Sequence, residues 1–227
     1  MNQPAYIRVF EDIEAEILSG GLAEGSALPT EQELCDRFGV NRSTVREGVR
    51  LLEQAGLLRR VNAKRLVVAR PEAEEAAERA SRNLERHGVP FEDVIEAGSL
   101  MQPSIARLAA ENATPEDIEA LEAITAALKE AERSSEIIEH AMGYLSALGH
   151  ATGNRAIEVM NSSLNLLSRS MLELVIDRLP NAQKRIVKAQ TEITLALRAR
   201  DVETATVWMA RHADDMRRAY QVAGLLP

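Results

Sequence analysis

The chain is short of the features that mark a membrane protein, a secreted protein or an enzyme. Cys35 is its single cysteine, which excludes an internal disulfide. Packing as a small buried residue is the expected role of that side chain, with a redox-sensing thiol as the alternative. No run of about 18 uninterrupted apolar residues occurs and no basic-then-apolar leader opens the chain, so neither a membrane span nor a signal peptide is expected. The cytoplasm is the natural compartment. Nucleophile elbows, phosphate-binding glycine loops and metal-ligand clusters are also missing, so neither catalysis nor a cofactor is expected. Internal repeats and low-complexity segments are not evident. What remains is 227 residues, 45% apolar and 27% charged, which fits a globular chain of one or two domains.

Leu28 to Arg50 reads LPTEQELCDRFGVNRSTVREGVR, two short helices with a tight turn between them. Thr30 is a good N-cap, and Glu33 three positions later can complete a capping box. Gly39 follows Phe38 and supplies the freedom that the turn needs. Asn41 opens the second helix, which runs to about Ala55 and is ended by Gly56. Val45, Val49 and Leu52 recur at helical spacing as a stripe to be buried. Arg42, Arg46 and Arg50 recur every four residues and form a separate face. Ser43 and Thr44 occupy the first turn. In a helix-turn-helix the N-terminal residues of the second helix meet base edges, where arginine bonds bidentately to guanine and hydroxyls hold phosphates. The bland alternative is a solvated charged face.

The net charge of −8 suits a DNA binder only once it is located. Between Arg37 and Arg70 nine basic residues stand against two acids, Glu47 and Glu53. That local excess can bind phosphate, while the acidic remainder favours solubility and disfavours indiscriminate binding.

Before this stretch, Tyr6, Phe10, Ile13 and Ile17 form a helical stripe stopped by Gly20 and Gly21. After it, Leu57–Val61 and Arg65–Ala69 look like two short strands joined by a polar tip. Three helices and a hairpin make a winged helix over residues 1–70. The run ILSGGLAEGSALPTEQELCDRFGVNRSTVREGVRLLEQAGLL resembles the N-terminal domain of GntR-family bacterial transcriptional regulators. The resemblance implies sequence-specific DNA binding: Arg42 and Arg46 at bases, Gln32, Asn41, Ser43, Thr44 and Arg50 positioning the motif, Lys64 and Arg65 serving the wing. The family's two wing glycines fall here on Asn62 and Lys64.

Beyond Ala69 no strand pattern appears. Helices are expected over Glu72–Arg86, Pro90–Asn112, Thr114 onward with Ile118, Leu121, Ile124 and Leu128, Ser135–Ala151, Asn154–Leu179, Asn181–Arg200, and after Asp201, with Ala223–Pro227 frayed. Thr114 with Pro115, and Asp201, have the composition of helix starts. Residues 71–227 therefore read as an all-α antiparallel bundle of six or seven helices, and the fold class as mostly α. SIARLAAENATPEDIEAL, ALGHATGN and ARDVETATVWMARH resemble the FCD effector domain of the FadR-type branch of that family. This implies a homodimer gripping a pseudo-palindromic operator, and a bundle that binds a small metabolite, often through a divalent metal.

The implied metal positions fall on Ala141, Leu145, Gln190 and His212, of which only His212 matches. The cationic residue that the family often presents to an effector falls on Gly98, and Gln102 stands where an acid is common. No metal is expected, and the effector is neutral, apolar or amide-like, or there is none. Asn154, Gln190 and His212 are candidate effector contacts, with structural roles as the alternative. The expected function is a transcriptional repressor sensing a small molecule; the rival is a ligand-independent DNA-binding dimer.

Overall fold

The computed structural model describes residues 3–62, 65–69 and 72–227. The chain divides into two compact units, Met1–Glu72 and Ala73–Pro227. The first contains α1 (Ala5–Ser19), α2 (Glu31–Phe38), α3 (Arg42–Ala55), β1 (Leu58–Asn62) and β2 (Arg65–Val68).

Local chemistry explains where these elements begin and end. Thr30 Oγ1 accepts from the Glu33 amide at 3.3 Å and Glu33 returns the contact to the Thr30 amide at 2.7 Å, satisfying donors that the first turn of α2 leaves open. Asn41 Oδ1 accepts from the Thr44 amide at 2.9 Å and starts α3. Gly39 and Gly56 end α2 and α3 at φ 63° and 75°, where an L side chain is strained. Val45, Val49 and Leu52 are buried as their spacing requires, together with Leu34 and Cys35 of α2. On α1 the buried stripe is Val9, Ile13 and Ile17, whereas Tyr6 and Phe10 are half-buried on its flank. The reason lies on α3. Gly48 has no side chain, and a Cβ there would stand 2.8 Å from Val9 Cγ1, so Val9 fills that space.

The hairpin pairs Leu58 with Val68, Arg59 with Val67 and Arg60 with Leu66, then slips so that Asn62 faces Arg65. It has a third participant that the sequence pattern did not reveal. Ala27 bridges to Val67, and the Leu28 amide donates to the Leu66 carbonyl at 3.0 Å. The connection between α1 and α2 thus satisfies the outer edge of β2, an edge that would otherwise invite other chains.

The second unit holds seven helices among the described residues: α4 (Ala73–Arg86), α5 (Phe91–Asn112), α6 (Pro115–Glu130), α7 (Ser134–His150), α8 (Arg155–Arg178), α9 (Ala182–Arg198) and α10 (Val202–Val222). Thr114 caps α6 in a reciprocal box with Asp117, and Asp201 caps α10 through the Thr204 amide. Only 3% of the chain is aromatic, so small and aliphatic side chains build the core. Ala106, Ala109 and Ala110 of α5 are fully buried beside Leu121, Tyr144, Leu148, Ile193, Leu197 and Met209. Tyr144 of α7 donates to the Gln190 carbonyl at 3.1 Å and meets Thr194 Oγ1 at 2.9 Å, tying α7 to α9.

The C-terminal residues are not frayed. Ala223 is buried, Leu225 and Leu226 pack near Tyr220, and the Ala223 carbonyl accepts from Arg178. An apolar Leu-Leu pair beside a half-closed core gains more from burial than a loose end gains in entropy. No helix among the described residues is long and apolar enough to cross a membrane.

Candidate functional site

Two places in the molecule gather the candidate side chains, one in each unit. In the first, Arg42, Arg46 and Arg50 lie on the solvent face of α3, with the Arg46 and Arg50 side chains 67% and 55% exposed. They are not loose. Arg46 Nε donates to both carboxylate oxygens of Glu31 on α2, at 2.9 and 3.0 Å. The hydrogen bond from Arg46 holds the Glu31 carboxyl below its ordinary range, and the same contact raises the guanidinium. The contacts to Glu31 are made through Nε. Arg42 Nη2 donates to Gln32 Oε1 at 2.9 Å, and Gln32 Nε2 donates to Asp36. Arg50 pairs with Glu47 at 2.5 Å.

Ser43 Oγ and Thr44 Oγ1 both donate to Asn41 Oδ1, at 2.6 and 3.0 Å. Asn41 is therefore engaged in shaping the start of α3. Arg65 is exposed on β2. Lys64 lies outside the described residues. Glu31 was missed from sequence because the charge count began at Arg37, and Glu16, which pairs with Arg37, was missed for the same reason.

The second place is a cavity of about 100 Å³ within the helical unit. Its walls are mainly apolar, from Val94, Ile95, Leu172, Ile186, Met209 and Met216. That space holds several waters or one small organic molecule. Polar groups interrupt the wall at Gln102, Asn165, Ser99, Ser168 and His212, and Arg217 lines it from an exposed position. His212 is buried, and burial pushes its pKa down to about 4, with Asp215 and Arg185 acting in opposite directions. It is a neutral imidazole at physiological pH.

Three of the four implied metal positions, Ala141, Leu145 and His212, line this cavity. Their chemistry does not fit a metal, because alanine and leucine have no donor atom and a single imidazole cannot hold one. No group of three His, Cys, Asp or Glu is placed for a cation among the described residues. Gln190 is buried with both amide atoms unpartnered, and it is not among the cavity's lining residues. Asn154 is also not there. Its Oδ1 accepts from the amides of Ala156 and Ile157 at 3.0 and 3.3 Å, which makes it the cap of α8.

The model of the gntR family of bacterial regulatory proteins matches residues 5–68, and that of the FCD domain matches residues 93–215. The chain belongs to the GntR family. Among curated relatives, an HTH-type transcriptional regulator of Mycobacterium tuberculosis is 33% identical over 154 residues, covering 67% of this chain and 64% of that one. The transcriptional repressor NanR of Klebsiella aerogenes is 34% identical over 122 residues, 50% of this chain and 45% of its own. The Glc operon transcriptional activator of Escherichia coli is 27% identical over 195 residues, 82% and 76% of the two chains. This GntR-family chain therefore spans less than two thirds of the first relatives it matches. Among solved structures, a Streptococcus agalactiae GntR protein aligns with TM-score 0.64 at 22% identity, over 94% of this chain and 99% of that one, a likeness of fold.

Proposed function

We propose that this GntR-family protein is a homodimeric transcriptional regulator that binds a pseudo-palindromic DNA operator through α3 and represses by occupying it. The observation that carries the reading is the exposed row Arg42, Arg46 and Arg50 on a helix whose opposite face is buried. Such a helix enters the major groove N-terminus first, and two copies on a two-fold axis read two half-sites one helical turn or its multiples apart. In this reading Arg42 and Arg46 take base edges. Gln32, Asn41, Ser43, Thr44 and Arg50 position the motif, and Lys64 and Arg65 reach phosphate or minor groove from the wing. Repression needs no contact with polymerase beyond exclusion. The named relatives include both signs, so a promoter reporter decides it. Selection from a random duplex library tests the whole: an inverted repeat bound by a dimer is expected, and recovery of no preferred sequence would overturn it.

The same reading makes the helical unit a metal-free sensor of a small effector, within the membrane-free cytoplasm. The cavity favours this over a bundle that serves dimerisation alone. Stoichiometric thermal stabilisation by Zn²⁺ or Ni²⁺ would refute the metal-free part.

A further inference from the structure

We infer that the cavity takes a small uncharged molecule that donates an N–H to Gln102 Oε1, a secondary carboxamide or lactam on an apolar body; this rests on reading the helical unit as a ligand-binding module. The direction of one chain of hydrogen bonds carries the inference. The Leu145 carbonyl on α7 can only accept, so the Asn161 atom 2.6 Å from it is the amide nitrogen. Asn161 Oδ1 then faces Gln102 and accepts from its Nε2 at 2.8 Å. The remaining atom of the Gln102 amide is therefore the oxygen, an acceptor. Gln102 is 9% exposed, lines the cavity, and its Oε1 has no partner in the protein. A buried acceptor without a donor costs free energy until a donor arrives.

The relay is held in place from behind. A Cβ at Gly149 would stand 2.8 Å from Asn161 Nδ2, so glycine there leaves Asn161 the space it occupies. Asn165, 8% exposed on the same cavity, has its Nδ2 unpartnered. The carbonyl of an amide ligand is the matching acceptor for it. Pro103 has no N–H to donate to the carbonyl of Ser99, another lining residue, so that carbonyl lacks its usual helical donor.

Charge argues against an anion at this place. Among the described residues, the titratable side chains on the buried wall are His212, a neutral imidazole, and Tyr220, whose phenol burial keeps protonated, so neither brings a positive charge. Arg217 is solvent-exposed, and an anion drawn to it keeps its water. A carboxylate brought to Gln102 would set oxygen against oxygen with no proton between them.

The test compares δ-valerolactam, its N-methyl derivative and valerate on the full-length protein, by thermal shift and titration calorimetry. Valerolactam is expected to bind saturably. The N-methyl compound, which cannot donate, is expected to bind roughly tenfold more weakly, the size of one buried hydrogen bond. Gln102→Met should abolish that difference, and Asn165→Leu, which leaves α5 untouched, should weaken valerolactam. Equal binding of both lactams, tighter binding of valerate, or no saturable binding at all (a cavity served by water alone) overturns the inference. The pair of lactams needs no variant, so misfolding of either mutant leaves the test standing. Operator binding measured on the same preparations separates the failures: intact DNA recognition with silent lactams sinks the ligand class and spares the regulator.

Discussion

Replacing glycine by alanine inside a helix should have opposite signs at two positions of this chain. At Gly143 on α7, a new Cβ meets nothing within 4 Å. The substitution then expresses helix propensity and the loss of unfolded-state freedom, worth about 0.5–1 kcal/mol of stabilisation. At Gly48 on α3 the same Cβ would lie 2.8 Å from Val9 Cγ1 and 3.0 Å from both Val9 Cβ and the Tyr6 carbonyl oxygen. Val9 is fully buried and β-branched, and the other obstacle is backbone, so neither yields as the tip of a long side chain does. Overpacking of this kind costs about 1–3 kcal/mol, which set against the propensity gain leaves Gly48→Ala destabilised by up to about 2.5 kcal/mol. Trp208, the only tryptophan, is on α10, so its fluorescence does not report on the first unit. Amide hydrogen exchange of α1 and α3 through a urea series does. Faster global exchange there for Gly48→Ala, beside slower exchange in α7 for Gly143→Ala, is the expected pair. A Gly48→Ala protein as protected as wild type would refute the close approach of α1 and α3.

Other outcomes follow from single side chains. Arg46→Ala should lose about 1–3 kcal/mol of discrimination between selected and scrambled operators in competition binding, whereas Arg65→Ala should weaken both alike and flatten the salt dependence. His212 binds its proton more weakly folded, about 4, than unfolded, so the unfolded chain carries more protons between those values. Stability should therefore fall by on the order of 3 kcal/mol as pH drops from about 6.5 to 4, and His212→Gln should reduce that fall in denaturation profiles. Asn154→Ala should cost about 1 kcal/mol through loss of the α8 cap, leaving valerolactam binding unchanged in calorimetry.

The parts of the fold that were legible in the sequence are the ones decided within a few residues. Thr30 with Glu33, Asn41 before its hydroxyls, Thr114 and Asp201 each satisfy donors one turn away, and the pattern of residue types is enough to see it. What was hidden depends on how elements are laid against one another. Glu31 and Arg46 are fifteen residues apart, and Gln102 and Asn161 fifty-nine. No periodicity in either helix announces such a partner. Gly48 looked like an ordinary helical position because its meaning resides in Val9 of another helix. Position 102 stood out only against the family pattern. Which of its amide atoms is left without a partner was settled by a main-chain carbonyl on α7.

The carboxylates beside the arginines of α3 have a consequence for binding at different ionic strengths. Glu31 and Glu47 already pair with Arg46 and Arg50 when no duplex is present, so under the proposed function docking would be an exchange of anions. Each guanidinium that turns to a phosphate or a base abandons an acid, which then faces the polyanion and draws in a cation from solution. That uptake opposes the release of counterions from the duplex. Affinity should consequently decline less steeply with added salt than a tally of cationic groups on this helix implies. A duplex that cannot draw the guanidinium away from Glu31 meets a row in which Arg46 and Arg50 are already paired with acids and Arg42 is held by the neutral Gln32, which leaves random sequence less to hold.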